Sequence, residues 1–292
     1  MDYGICLPNF PAGASAEGID AAAEVAERLG WSAAWTTDHL VVDRDNADGY
    51  GRIFEAILTL AWVGARHPSI RLGTSVIVVP QRNAVVLAKE LATLDVLSGG
   101  RVIAGVGVGW NEAEFGNLGV AERFRQRGAY LDETIALWRH LWSGSEAAFV
   151  GRFHRLEDFV FEPLPVQGGE LPIWVGGRSD PALRRAATVG DGWQSSALGP
   201  EAFGQRVAKL RAFAEAAGRP MPPLSARVRV RFDETAGDGY AMRGSPEAVA
   251  AEVAKFASLG VSHLALWLSA TDPEGVVRAA ERFAAEVAPL VG

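Results

Sequence analysis

Residues 70–108 read IRLGTSVIVVPQRNAVVLAKELATLDVLSGGRVIAGVGV, and this stretch decides the fold. It opens with a nearly all-apolar run over 70–79, predicted as a strand. A helix over 83–98 follows and stops at Gly99-Gly100, where glycine can take the left-handed turn that ends a helix. A second apolar strand covers 101–108. Strands that are apolar along their whole length are buried on both faces, the condition of a parallel sheet covered by helices.

The same alternation runs outward in both directions. Upstream stand strands at 3–8 and 33–38. Between them a helix places Ile19, Ala22, Ala26 and Leu29 on one face and ends at Gly30; a polar loop over 41–51 and a helix over 53–66 precede the central stretch. Downstream, a helix over 122–142 carries the stripe Leu131, Ile135, Trp138, Leu141 and Trp142, read as core. Strands follow at 171–175, 192–196, 225–232 and 263–268. Helices follow at 180–189, at 200–217, from Ser245-Pro246 to Leu259, and at 273–290. Eight strand–helix units predict an α/β fold, a (β/α)8 TIM barrel, as one domain over 1–292. Residues 144–170 break the rhythm and read as an insertion with a short hairpin, packed outside the repeat.

Composition limits the function. Of 292 residues, 49% are hydrophobic and 22% charged, as in a globular protein. The net charge of −7 and the lack of a basic run argue against nucleic acid as a partner. Cys6 is the single cysteine, so an intrachain disulfide and CxxC metal motifs are excluded. Met1-Asp2-Tyr3-Gly4 leads into a strand without a basic, apolar leader, and no apolar run approaches the ~20 residues of a membrane span. The expectation is a cytoplasmic protein with no membrane partner.

In such barrels chemistry sits at the C-terminal ends of the strands. After strand one, Asn9 reads either as a substrate contact or as a turn residue beside Pro8. After strand two, Asp38-His39 precedes a long polar loop. His39 is a candidate acid, base or hydrogen-bond donor, and Asp38 either orients it or meets a ligand itself. Small residues Gly73-Thr74-Ser75 let a flat ligand approach the backbone of strand three. Strand four ends in Gly105-Val106-Gly107-Val108-Gly109-Trp110-Asn111-Glu112, which is not the GxGxxG of a dinucleotide fold. After strand five, Gly176-Gly177-Arg178 precedes the helix start Ser179-Asp180-Pro181. Free N–H groups there, with Arg178, read as a phosphate site. Trp193, in the turn Asp191-Gly192-Trp193, is expected to wall the pocket. No HxH, HExxH or GxSxG motif appears, so neither a metal site nor a hydrolase elbow is expected.

As an ordered set, these strand ends resemble the luciferase-like superfamily of flavin and deazaflavin oxidoreductases. The resemblance spans Trp35–Leu40, Leu72–Val76 with Pro80–Asn83, Leu94–Arg101, Gly105–Glu112, Pro172–Gly177, Arg185–Ala187 and Gly190–Trp193. It implies a luciferase-like TIM barrel that uses coenzyme F420 or FMN, and the Asp-His pair resembles the F420 branch. In that branch the histidine serves near the hydride-transfer carbon and the aspartate contacts cofactor or substrate, which carries those roles to His39 and Asp38. The resemblance further implies a cis Ser75–Val76 peptide behind the ring. It puts Gly107, Val108, Gly109 and Asn111 along the ring and its chain, and Gly176 and Gly177 at the phosphate beside Arg178. One departure stands out: Trp110 occupies the place of a glutamate found in some F420-dependent dehydrogenases, and Glu112 lies two residues on. Trp110 implies either a more apolar substrate pocket or a wall of the cofactor site.

The leading expectation is an F420-dependent oxidoreductase moving a hydride to or from a small-molecule substrate. The alternatives are an FMN-dependent two-component monooxygenase and a non-catalytic cofactor-binding barrel. The resemblance also implies a homodimer. Loop 41–51, insertion 144–170 and the loop from Asp233 to Met242 are expected to set the substrate.

Overall fold

A computed structural model describes residues 1–10, 13–233 and 239–291. The loop expected to shape the substrate after strand seven therefore lies outside the described residues over 234–238. The first strands are β1 Asp2–Cys6, β2 Ala33–Thr36, β3 Arg71–Thr74, its continuation β4 Ile77–Val78, and β5 Val102–Gly107. The insertion supplies an antiparallel pair, β6 Phe149–Val150 and β7 Arg155–Leu156. The remaining strands are β8 Ile173–Gly176, β9 Gly192–Ser196, β10 Leu224–Arg231, β11 Ala241–Arg243 and β12 Val261–Trp267. Parallel pairing runs β1-β2-β3-β5-β8-β9-β10-β12 and returns to β1, which closes an eight-stranded barrel. Short β11 pairs beside the end of β10.

The helices are α1 Ala16–Arg28, α2 Ala47–Tyr50, α3 Ala56–Arg66, α4 Ala84–Ser98, α5 Glu112–Asn117 and α6 Arg127–Trp142. They continue with α7 Asp180–Thr188, α8 Pro200–Ala216, α9 Pro246–Ser258 and α10 Pro273–Arg282. Local chemistry sets their ends. The side chains of Ser15, Asn83 and Ser245 each accept a backbone N–H of the first turn. Gly99 closes α4 at φ 69°, a conformation that favours glycine. The stripe expected on α6 is wholly buried; the Trp138 indole donates to the Ala84 carbonyl at 2.9 Å and that of Trp142 to Ala88 at 3.2 Å.

Several details differ from the sequence reading, among them the last helix, which is α only to Arg282 and runs on as a π turn and a 3-10 turn to Leu290. The unbroken strand expected over 70–79 is split at Ser75–Val76, where the peptide is cis, as the resemblance implied. Beyond the split, β4 pairs with β5 through Ile77–Val106 and Val78–Gly107. The loop 41–51 holds the short helix α2, and α5 was not foreseen. The helix expected from 122 becomes regular only at Arg127, after a 3-10 turn over Ala121–Gln126.

The lower barrel interior is filled. The indoles of Trp35 and Trp174 lie 5.5 Å apart, each within 6 Å of the His263 ring, with Cys6, Ile103 and Ala265 around them. Glycines on neighbouring strands make the room. A β-carbon on Gly73 would stand 2.3 Å from the Trp35 ring, and one on Gly192 2.7 Å from that of Trp174. Burial, reinforced by the charge of Arg71, pushes the His263 pKa down to about 4, so this ring is neutral filler.

Candidate active site

Above this floor, at the C-terminal ends of the strands, lies a cavity of about 500 Å³. Its first wall carries His39. The ring is 6% exposed, and its Nδ1 meets Oε2 of Glu114 at 2.9 Å. The other Glu114 oxygen accepts the backbone N–H groups of Leu40 at 2.5 Å and Val41 at 3.2 Å. Burial alone would raise the Glu114 pKa, but the bonds from His39 and the Leu40 backbone outweigh it and hold the group down at about 2. An ionised carboxylate only accepts, so Nδ1 of His39 donates and Nε2 is left for the cavity. Tyr50 packs on the His39 ring at 4.3 Å, and Trp110 meets it edge-on at 5.6 Å. Trp110 is 54% exposed and forms the rim.

The second wall is backbone. Val76, after the cis peptide, sits between strands β5 and β8. A β-carbon on Gly107 or on Gly176 would each come within 2.4 Å of its methyl groups. Only glycine at both positions leaves Val76 this seat. Ser75, Val108 and Gly109 line the cavity beside it.

The third wall is cationic. The first turn of α7 faces the cavity with Gly177, Ser179 and Pro181, and the Ser179 side chain caps no backbone group. Arg125, Arg127 and Arg185 line the same end. Arg185 is anchored by Asp132 at 2.5 Å, and Nε of Arg127 is buried without a partner. Free helix N–H groups and guanidinium forks form an anion site. The fourth wall, on β9 and β10, holds Gln194, Ser195, Ser196 and Arg227.

Several expected site residues have other work. Asn9 is fully buried; its amide donates to the carbonyls of Thr37 and Phe54 at 2.8 and 3.0 Å and accepts Thr37 N–H at 3.0 Å. It ties strand ends together and does not line the cavity. Asp38 reaches the cavity edge, but its carboxylate accepts Val78 N–H at 2.8 Å and Arg82 at 2.6 Å. It fixes β4 rather than orienting His39. Asn111 caps α5 and donates to Asp43 at 2.8 Å, away from the cavity lining. Trp193 is fully buried against Phe203, because alternation along β9 turns it toward α8. Its indole donates to the Gly177 carbonyl at 2.8 Å, so it steadies the loop before α7 from behind. Arg178 is exposed and off the lining; Arg185, Arg127 and Arg125 supply the charge there. His39, Ser75, Val76, Gly107, Val108, Gly109, Trp110, Gly176 and Gly177 do converge.

Glu114, Tyr50 and Arg227 were missed. Glu114 carried a signal: Asn111 and a glutamate three residues later have the spacing of a helix-capping pair. Its carboxylate reaches His39 instead of the cap. Arg227 is the first of three alternating arginines on β10, with Arg229 and Arg231, and barrel closure brings it beside Ser75. Among the described residues no group of three or more His, Cys, Asp or Glu is placed to hold a metal. Nor is any described helix long and apolar enough to cross a membrane.

Three comparisons bear on this geometry. The family described as luciferase-like monooxygenase matches residues 1–236. The F420-dependent glucose-6-phosphate dehydrogenase of Mycolicibacterium fortuitum is 32% identical over 218 residues, 72% of this chain and 62% of that protein. The chain thus matches 60–62% of the length of the curated relatives that come first. Among solved structures, an F420-dependent secondary alcohol dehydrogenase in complex with an F420-acetone adduct superposes with a TM-score of 0.83 at 18% identity, over 100% of this chain and 99% of that one. The FMN-bound oxygenating constituent of 3,6-diketocamphane monooxygenase from Pseudomonas putida does so with 0.81 at 18% identity, again over 100% and 99%. The last two likenesses are of fold.

Proposed function

The chain belongs to the luciferase-like monooxygenase family, and from that premise we propose that it is an oxidoreductase moving a hydride between coenzyme F420 and a small organic substrate. The observation that carries this reading is the buried His39–Glu114 pair on a cavity that also carries the glycine-flanked Val76 wall and the arginines beside α7. The curated relative above, F420-dependent by name, supports the choice of cofactor.

The donor set fits a phosphate-tailed planar cofactor. A flat ring needs a wall without protruding side chains, which Val76 seated between Gly107 and Gly176 provides. A phosphate needs N–H donors and fixed cations, which the start of α7 and Arg127 and Arg185 provide. When bound, F420 supplies the carbon that gives or takes the hydride. The chain's own residues do the rest. His39 Nε2 takes or returns the proton of a substrate oxygen, while Glu114 steadies the charge that appears on the ring. Tyr50 and Trp110 cover the imidazole and keep water from it.

Titration of the purified protein with F420 and separately with FMN, followed by tryptophan fluorescence, tests the reading. Preferential low-micromolar or tighter binding of F420 is expected. Preference for FMN, with oxygen uptake when reduced flavin is supplied, would replace it with the monooxygenase reading. Binding of neither would leave a barrel without that cofactor chemistry.

A further inference from the structure

On the fourth wall, the Arg227 guanidinium is held by neutral groups alone. Nη1 donates to the Ser75 carbonyl and Nη2 to the Thr37 hydroxyl, both at 2.7 Å. The group lies between the Phe10 and Trp267 rings, 5.7 Å from each centroid. Nε is buried without a partner. Among the described residues no carboxylate lies within 4.0 Å of Arg227. The two nearby acids are committed, Asp38 to Arg82 and Glu114 to His39. The adjoining Cys6 thiol also meets Arg227; burial pushes its pKa up against the pull of that arginine, so it adds no counter-charge. Ser195 adds a buried hydroxyl, also unpartnered, on the same cavity.

An arginine keeps its charge at every working pH, and a guanidinium half-buried between two aromatic rings with no acid beside it favours a counter-charge. The protein supplies none here, and the cavity is the side left open. Thr37, which Arg227 grips, is two residues from His39, and the arginine and the histidine line the same cavity. The anion site at α7 is a separate wall with its own arginines. We infer that the substrate of this site carries an acidic group, a carboxylate or a phosphate, and that Arg227 is the residue that binds it. This rests on the oxidoreductase reading for the word substrate, but the anion preference of Arg227 can be measured without any cofactor.

The probe is benzoate, with benzamide as its neutral isostere. Each is titrated into the full-length protein, free and loaded with F420, with tryptophan fluorescence as the signal. Benzoate is expected to bind about tenfold or more tighter than benzamide. In R227Q that preference should vanish while affinity for benzamide and for F420 stays within about twofold. R227K, which keeps the charge but not the fork, should retain a reduced preference and serves if R227Q does not fold. Equal binding of the two probes to the wild type, or binding of neither, overturns the inference. So does an R227Q variant that loses F420 while keeping the benzoate preference, since Arg227 would then belong to the cofactor's site. If F420 binds and the preference is absent, only this inference fails; if the preference is present and F420 does not bind, only the proposed function fails.

Discussion

His39 lines the cavity from the end of its strand, whereas the polar residues beside it are spent on the scaffold. Asp38 and Asn9 are short polar side chains at strand ends, and such groups satisfy loose backbone N–H and C=O as readily as they meet ligands. Which of the two happens depends on partners 28 to 45 residues away, which spacing does not disclose. For His39 itself, H39Q is expected to lower kcat by about 10²–10⁴-fold with cofactor affinity nearly unchanged, measured by single-turnover absorbance and fluorescence titration. The companion residue gives a stability prediction with a definite sign. Glu114 is held at about 2, below its ordinary 4.5, so it stabilises the fold at pH above 4.5 and loses that contribution as pH falls through 2. The shift corresponds to about 3 kcal/mol at neutral pH. E114Q should therefore be less stable than the wild type at pH 6, and the gap in urea midpoints should narrow steadily between pH 4.5 and 2. A constant gap would mean that the carboxylate's charge is not what stabilises.

At the scale of elements, the strands and long helices followed from apolar pattern, and most of their ends fell within a few residues of expectation. The six-residue helix α5 has too few turns to show a period, so it was invisible although it delivers Glu114. The split of β3 from β4 falls at Thr74-Ser75, two small hydroxyl residues that interrupt the apolar run without ending it, so hydropathy alone did not mark a break. The seat between β5 and β8 invites a direct test. G107A would place a methyl 2.4 Å from Val76, which must then shift toward the cavity. The expected result is a cofactor affinity reduced by about tenfold or more with little change in melting temperature. The first turn of α7 invites another: R185M should weaken cofactor binding and make what remains less sensitive to salt, because a fixed cation has left the anion site.

At the scale of the molecule, closure of the barrel was predictable, since eight near-identical units leave few other ways to bury both faces of every strand. The placement of charge was not. The chain carries −7 overall, yet four arginines line the cavity. The cavity field therefore opposes the field of the whole. Association of a phosphate-bearing ligand should slow as ionic strength rises from 0.01 to 0.5 M, on the order of tenfold in stopped-flow, with dissociation changing less. The packed floor of Trp35, Trp174 and His263 has a kinetic meaning of its own. A barrel stopped at the bottom is a cup, and two guests in a cup stack. A guest against the Val76 wall and a guest nearer the Trp110 rim share one cup, so the outer one stands in the path of the inner. Steady-state turnover should then follow a compulsory order, with the reaction product departing before the cofactor exchanges, and the upper guest should trap the lower one in a pulse-chase experiment.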